Sequence, residues 1–238
     1  GVVDAIMAGR VSAMALAATW LGATIFFVGS TLAMGVAHGI DPLTAQAFGA
    51  GRTREARITL WQGVWAVLLA SVPGAAMVLG FGYALEAMGV EAELAATARE
   101  YLWWRLPSLP GFLLFLVARA YLQSAHRPRP ALLAVLAATP LNALGNWVLM
   151  WGVLAFGLPA LGVKGIALAS TLVIWFEVAV VAFAVRAIDP GPGTAPLRAP
   201  RWATLRAIYA LGLPLGGQLL AEGGIFSLTG VLMGGIGT

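Results

Sequence analysis

Residues 58–82 read ITLWQGVWAVLLASVPGAAMVLGFG, and none of these side chains carries a charge. Coiled at about 1.5 Å per residue, a run of this length crosses the roughly 30 Å of a bilayer's hydrocarbon with enough left over for tilt. Apolar and polar positions do not alternate along it, so it lacks the two-residue period of a barrel strand. It reads as a transmembrane helix. Working outward, stretches 13–37, 101–124, 131–152, 163–186 and 206–234 are of the same kind. The fold class they imply is an all-α membrane protein, a polytopic helical bundle.

Composition agrees. The 238 residues are 60% hydrophobic and 10% charged, with a mean hydropathy of +0.88. Soluble domains carry about 25% charged residues, so a soluble globule is excluded, and so is disorder. With no cysteine there is no disulfide framework and no thiolate metal site. The net charge of +4 would suggest nucleic acid in a soluble protein. Here the basic residues sit in short loops between apolar runs, where they set membrane orientation. No nucleic-acid partner is expected; the lipid bilayer is the expected surround. The chain opens at Gly1 without the charged start of a signal peptide, and we expect a piece of a longer protein.

The loops are charged asymmetrically. Arg52, Arg54, Arg57, Arg127, Arg129, Arg186, Arg198, Arg201 and Arg206 fall on one side; Arg10, Arg99 and Lys164 fall on the other, with Glu86, Glu91, Glu93 and Glu100. The positive-inside rule then puts the first side in the cytoplasm and both chain ends outside. Arg105 and Arg119, near opposite ends of the third stretch, are expected to snorkel. Trp103, Trp104, Trp151 and Trp202 are expected in the aromatic belts. Stretch 83–98 suggests a short interfacial helix, and Asp189–Pro200, rich in Pro and Gly, a linker. Val3–Gly9 and Thr229–Gly235 share an aliphatic-Met-x-Gly pattern, a weak sign of an internal repeat.

Few polar side chains lie at membrane depth. Asp4 is roughly 8 Å inside the outer face, either a helix-ending aspartate or a functional acid. Asn142 and Asn146 are spaced i, i+4 and share a helix face at roughly 14 and 8 Å, as interhelical glue or as ligands. Ser170 falls at roughly 12 Å, where a back-bonded hydroxyl is the alternative to a ligand. Together they form an oxygen-rich set suited to a proton or a hard cation such as Na⁺. Pro140 frees a carbonyl and can kink the helix beside them. Glu222, near mid-membrane after Pro214, is a functional candidate unless it is a neutral acid in an interface. Glu177, roughly 20 Å or more deep, does not share Asp4's depth; it reads as a structural or Arg119-paired acid, or a possible cavity residue. His38 and His126, with no carboxylate beside them, read as surface residues at helix ends. Gly49-Ala50-Gly51 lacks the Lys-Ser/Thr and strand of a phosphate loop and reads as a helix end with a tight turn.

Six segments, in order, resemble the multidrug and toxic compound extrusion (MATE) family. Val3-Asp4-Ala5-Ile6-Met7-Ala8-Gly9 resembles the end of its first helix. Thr44-Ala45-Gln46-Ala47-Phe48-Gly49-Ala50-Gly51, followed by Arg52–Arg57 and Gln62-Gly63, is similar to its loop between helices two and three. Leu122-Gln123 to Arg127-Pro128-Arg129-Pro130 resembles the loop between helices four and five. Leu141-Asn142-Ala143-Leu144-Gly145-Asn146-Trp147 resembles helix five, Leu161–Ser170 the start of helix six, and Leu211-Gly212-Leu213-Pro214 with Glu222 helix seven of the NorM-type branch. Two positions depart: Lys164 stands where a small residue is common, and Glu177 where an apolar one is expected.

The resemblance implies one six-helix lobe of a two-lobe transporter. Residues 1–187 would be the N-terminal lobe, 188–200 a cytoplasmic inter-lobe linker and 201–238 helix seven, with the rest of the C-terminal lobe of the same chain missing. It implies export of organic cations or amphipathic drugs in exchange for H⁺ or Na⁺, across a bacterial-type inner membrane. It assigns the coupling cation to Asp4, beside which depth and spacing already put Asn142, Asn146 and Ser170, and to Glu222 in the second lobe. A flippase of lipid-linked oligosaccharides, from the same superfamily, is the alternative; it needs a strongly basic cavity, and only Arg105 and Arg119 lie within a helix. No enzyme is expected, because no His-rich, paired-acid or Ser/His site is visible, and no cofactor is expected beyond the coupling ion.

Overall fold

The computed structural model describes residues 2–152, 159–189 and 198–236, with side chains from Val3 to Glu222 within those ranges. In chain order the helices are α1 (Val2–Gly9), α2 (Ala13–His38), α3 (Asp41–Gly49), α4 (Thr53–Ala84), α5 (Ala92–Arg105), α6 (Ser108–Ser124), α7 (Arg129–Trp151), α8 (Val163–Arg186) and α9 (Trp202–Ile236). No strand occurs among the described residues. Residues 190–197 of the expected linker, and the side chains of the second aliphatic-Met-x-Gly copy, lie outside the described residues.

Four spans follow the apolar stretches: α2 with α3, α4, α7 and α8 are each long and apolar enough to cross a membrane. The stretch 206–234 lies within the 35 residues of α9. Local rules account for their ends. The Ser12 hydroxyl accepts the backbone N–H of Ala15 at 3.0 Å and caps α2. After α3, Gly51 takes φ +70 and turns the chain into α4, as the glycine-rich loop suggests.

The third stretch departs from expectation. It is not one straight helix over 101–124 but α5 and α6, which together qualify as one span bent by 50°. Pro107 is the cause: it lacks an N–H and crowds the residue before it, so the helix stops at Arg105 and restarts at Ser108. The helix expected over 83–98 begins instead at Ala92, after a turn in which Gly89 has φ +87, and runs on into the bend. Trp103 and Trp104 therefore lie just before a mid-span break, with their side chains exposed.

Bundle packing follows membrane logic, in which lipid competes with any apolar contact and close backbone approach decides pairing. α2 is central, packed on α1, α4, α5, α6 and α9, while α7 and α8 form an intimate pair. On α2 and α9, Gly35 and Gly39 face Gly212 and Gly216, each pair spaced i, i+4. A Cβ at Gly35 would collide with the backbone of Gly216, and one at Gly212 would come within 2.5 Å of Val36 Cα. On α8, a Cβ at Gly165 would lie 2.5 Å from the Leu149 carbonyl oxygen of α7. Large apolar side chains such as Leu132, Leu133, Leu136 and Phe183 are exposed, as a lipid-facing surface requires.

Ion pairs stand at both ends of the bundle, with Arg52 and Glu55 3.0 Å apart at the basic end. At the acidic end, Arg99 meets Glu86 at 2.7 Å, and Lys164 meets Glu100 at 2.7 Å, joining the start of α8 to α5. That pair gives Lys164 a local role. At the basic end, His38 corrects a sequence expectation: its Nδ1 lies 3.1 Å from the Asp41 carboxylate, one turn on across the α2–α3 corner.

Candidate functional site

α1 is short, but it wedges against α2, α7 and α8 and carries Asp4 into the bundle, where only 3% of the residue is exposed. Asn146 on α7 donates its Nδ2 to Asp4 Oδ1 at 2.7 Å, and Ser170 on α8 donates its hydroxyl to Asp4 Oδ2 at 3.2 Å. Asn142 donates to Ser170 Oγ at 3.1 Å, and its own Oδ1 accepts a second contact from Asn146 at 3.4 Å. Asp4, Asn146 and Ser170, expected at a common depth, and Asn142, expected one turn deeper, thus form one connected network. The i, i+4 spacing sets both amides on one face, and Gly165 brings α8 close enough for Ser170 to reach them. Ser170 spends its hydroxyl on the network. The neighbouring Thr171 is the back-bonded one, donating to Ala167 O and Trp104 O at 2.9 Å.

One oxygen in this network has no partner among the described residues. Asn146 is fully buried, and its Oδ1 accepts no hydrogen bond. An unmet buried acceptor costs about 1–3 kcal/mol. Next to a carboxylate, two further amide or hydroxyl oxygens and an unused carbonyl oxygen, a hard cation would recover that cost. Among the described residues no group of three or more His, Asp or Glu side chains converges, so the donor set is one carboxylate with neutral oxygens.

The network borders a cavity of about 370 Å³, and two further charged residues line it: Arg105 and Glu177. Arg105 corrects the sequence reading, and Glu177 takes the cavity alternative rather than the pairing with Arg119. Arg105 does not snorkel outward. It stands at the α5–α6 break, its guanidinium 5.0 Å from the Phe26 ring centre and its Nη1 buried without a partner among the described residues. Glu177 is 7% exposed and, although two turns beyond Ser170, opens on the same cavity as Asp4. The positive charge acting on it is Arg105, not the exposed Arg119. The available signal for Arg105 was an arginine two residues before a mid-span proline.

Glu222 does not join this network. It is exposed on α9, a helix that packs on α2 and α4, and accepts a hydrogen bond from Gln218 at 2.8 Å.

Comparison with known proteins gives the family and the fold. The family model described as MatE matches residues 1–148. The chain is 38% identical over 242 residues to a probable multidrug resistance protein NorM of Bradyrhizobium diazoefficiens, covering 99% of this chain and 51% of that protein. It is 35% identical to the similarly named protein of Pseudomonas putida, again covering 99% and 51%. The chain therefore spans about half the length of these curated relatives. Among solved structures, the eukaryotic MATE transporter AtDTX14 superposes with a TM-score of 0.80 at 20% identity, over 93% of this chain and 48% of that one. An outward-facing multidrug resistance MATE family transporter gives 0.76 at 22%, over 90% and 47%. These likenesses are of fold. The helical membrane architecture and the family match agree, and this multi-pass membrane chain belongs to the MatE family.

Proposed function

We propose that the chain is the first lobe (1–187), the inter-lobe linker (188–200) and the opening helix of the second lobe (201–238) of a secondary antiporter. In a bacterial-type inner membrane it exports cationic or amphipathic organic compounds in exchange for H⁺ or Na⁺. The description of its relatives as multidrug resistance proteins supports the export. The observation that carries the coupling role is the buried Asp4 carboxylate, held by Asn146 and Ser170 beside a carbonyl oxygen that has no partner. The flippase reading finds less support: the cavity beside Asp4 carries one guanidinium against two carboxylates.

In this reading Asp4 alternates between two charge states. A proton or Na⁺ arriving from outside neutralises it, relieves the cost of a buried charge and lets α1, α7 and α8 close around it. Closure weakens the hold on a cationic drug, which leaves outward. Release of the cation inside restores the charge and the drug affinity. Coupling requires the cation to favour one of the two conformations, since equal affinity shifts nothing. Glu222 would serve the second lobe's cation site in the same way.

The test is transport by the complete protein in proteoliposomes with an imposed pH or Na⁺ gradient. Asp4→Asn, a permanently neutral site, should abolish uphill export while protein yield stays normal. Export against a drug gradient with unchanged pH and Na⁺ dependence would remove Asp4 from the mechanism and leave Glu222 as the next candidate.

A further inference from the structure

At the basic end of the bundle a second cavity, of about 470 Å³, lies between α4, α6 and α8. Its size falls within the ~300–1,000 Å³ typical of ligand sites. Its walls are apolar, with Leu60, Leu114, Val178 and Val181 among them, and three arginines line it: Arg57, Arg186 and Arg198. No carboxylate is among its described lining residues. It is separate from the Asp4 network, because Arg186 is sixteen residues beyond Ser170 on α8, about 24 Å by helix rise.

Arg57 is the unusual member. Although it lies one turn into α4, it is only 7% exposed. Its Nη2 donates to the carbonyls of Val185 at 3.0 Å and Ile188 at 2.6 Å, at the C-terminal end of α8, and its guanidinium lies 5.2 Å from the Tyr121 ring centre. Its Nε is buried with no hydrogen-bond partner among the described residues. Among the described residues no carboxylate forms an ion pair with it. A buried cation left in this state is costly, and a bound anion would relieve it. Arg186 and Arg198 are exposed at the same cavity, with Arg198 stacked 4.9 Å from the Trp61 ring centre. The backbone around Arg198 is held on α4: Trp65 Nε1 donates to Arg198 O at 2.6 Å, and Gln62 Nε2 to Ala199 O at 2.8 Å.

From this arrangement we propose that the cavity is a binding site for an anionic phospholipid. The phosphate sits among Arg57, Arg186 and Arg198, and an acyl chain lies along the apolar walls of α6 and α8. The amphipathic lining favours this occupant over free phosphate, which would leave those walls unused. The arginines occupy the end that the charge asymmetry assigns to the cytoplasm, where the leaflet is anionic and basic pockets between helices hold lipid headgroups. The bound lipid would tie the end of α8 to α4 and to the segment entering α9. The proposal does not depend on the coupling role of Asp4.

The experiment uses the complete protein in detergent, titrated with phosphatidylglycerol or phosphatidylcholine and read by native mass spectrometry for retained lipid. Wild type should retain phosphatidylglycerol well above phosphatidylcholine. The double variant Arg186→Gln/Arg198→Gln, whose side chains are exposed and spare the fold, should weaken phosphatidylglycerol retention by about tenfold or more, given the contribution of each basic residue near a headgroup. Ala182→Trp, which narrows the apolar wall without touching a charge, should also weaken it. Equal retention of the two lipids, or unchanged phosphatidylglycerol retention in both folded variants, would overturn the proposal. So would displacement of the lipid by millimolar inorganic phosphate, which would mark an anion site indifferent to acyl chains.

Discussion

Replacing Asn146 with alanine removes two things at once: the 2.7 Å donor to Asp4 and the carbonyl oxygen that has no partner. A hydrogen bond to a charged acceptor is worth about 1.5–3 kcal/mol, so the half-saturating concentration of the coupling cation should move by roughly tenfold or more. The direction separates the two ions. If Na⁺ drives export, Asn146→Ala loses a ligand oxygen and half-saturating Na⁺ rises. If H⁺ drives it, the carboxylate loses a donor that favours its charged form, and export persists at lower proton concentration. Cation titrations of drug efflux in proteoliposomes read both, and the maximal rate should change less than the midpoint. Glu177 makes a second test. Neutralising it as Glu177→Gln leaves Arg105 facing Asp4 as the only acid among the described lining residues of the shared cavity, so the guanidinium competes with the cation for Asp4. Half-saturating H⁺ or Na⁺ should then rise; an unchanged midpoint would make Glu177 a structural acid.

At the scale of elements, glycines decide which helices meet. The α7–α8 pairing that assembles Asn142, Asn146 and Ser170 depends on Gly165, where a side chain would press on the Leu149 carbonyl at 2.5 Å. Gly165→Leu should force α8 away from α7 and cost about 1–3 kcal/mol or more by overpacking. It should lower the thermal midpoint of the purified protein and loosen the Asp4 network. Gly80 on α4 is the control: a Cβ there meets nothing within 4 Å, so Gly80→Ala should be neutral or slightly stabilising through its better helix propensity. A melt in which both variants behave alike would refute the close-packing account. The α5–α6 break is the other element-level feature, because it turns Arg105 into the cavity.

For the whole molecule, the asymmetry of basic residues sets a testable orientation. A reporter fused after Gly51 should report the cytoplasm, and one near Glu91 the outside. A periplasmic signal from the Gly51 fusion would invert the scheme. It would also move the arginine-lined cavity to the outer leaflet, without touching the lipid-retention result. The glycine seam packs α2 against α9, the helix proposed to open the second lobe, so the orientation of one fixes that of the other.

What the sequence determined by itself was the helical membrane class, the extents of α2, α7 and α8, the apolar part of α4 but not its first turn, and the group Asp4, Asn142, Asn146 and Ser170. Those features rest on local physics: span length, the i, i+4 face, and the depth counted along each helix from its end. Polar side chains are scarce in such a chain, so the few present mark the site. Tertiary structure decided the rest. Arg57 reads as a loop charge but is buried against the end of α8 by partners 128 and 131 residues away. Arg105 and Glu177 reach Asp4's cavity only because Pro107 bends one span and α8 lies directly across from it. In helices apolar on every side, periodicity does not show which face meets which neighbour. That choice is made by close backbone approach at glycines such as Gly165 and Gly35, and it exists only once the helices are packed.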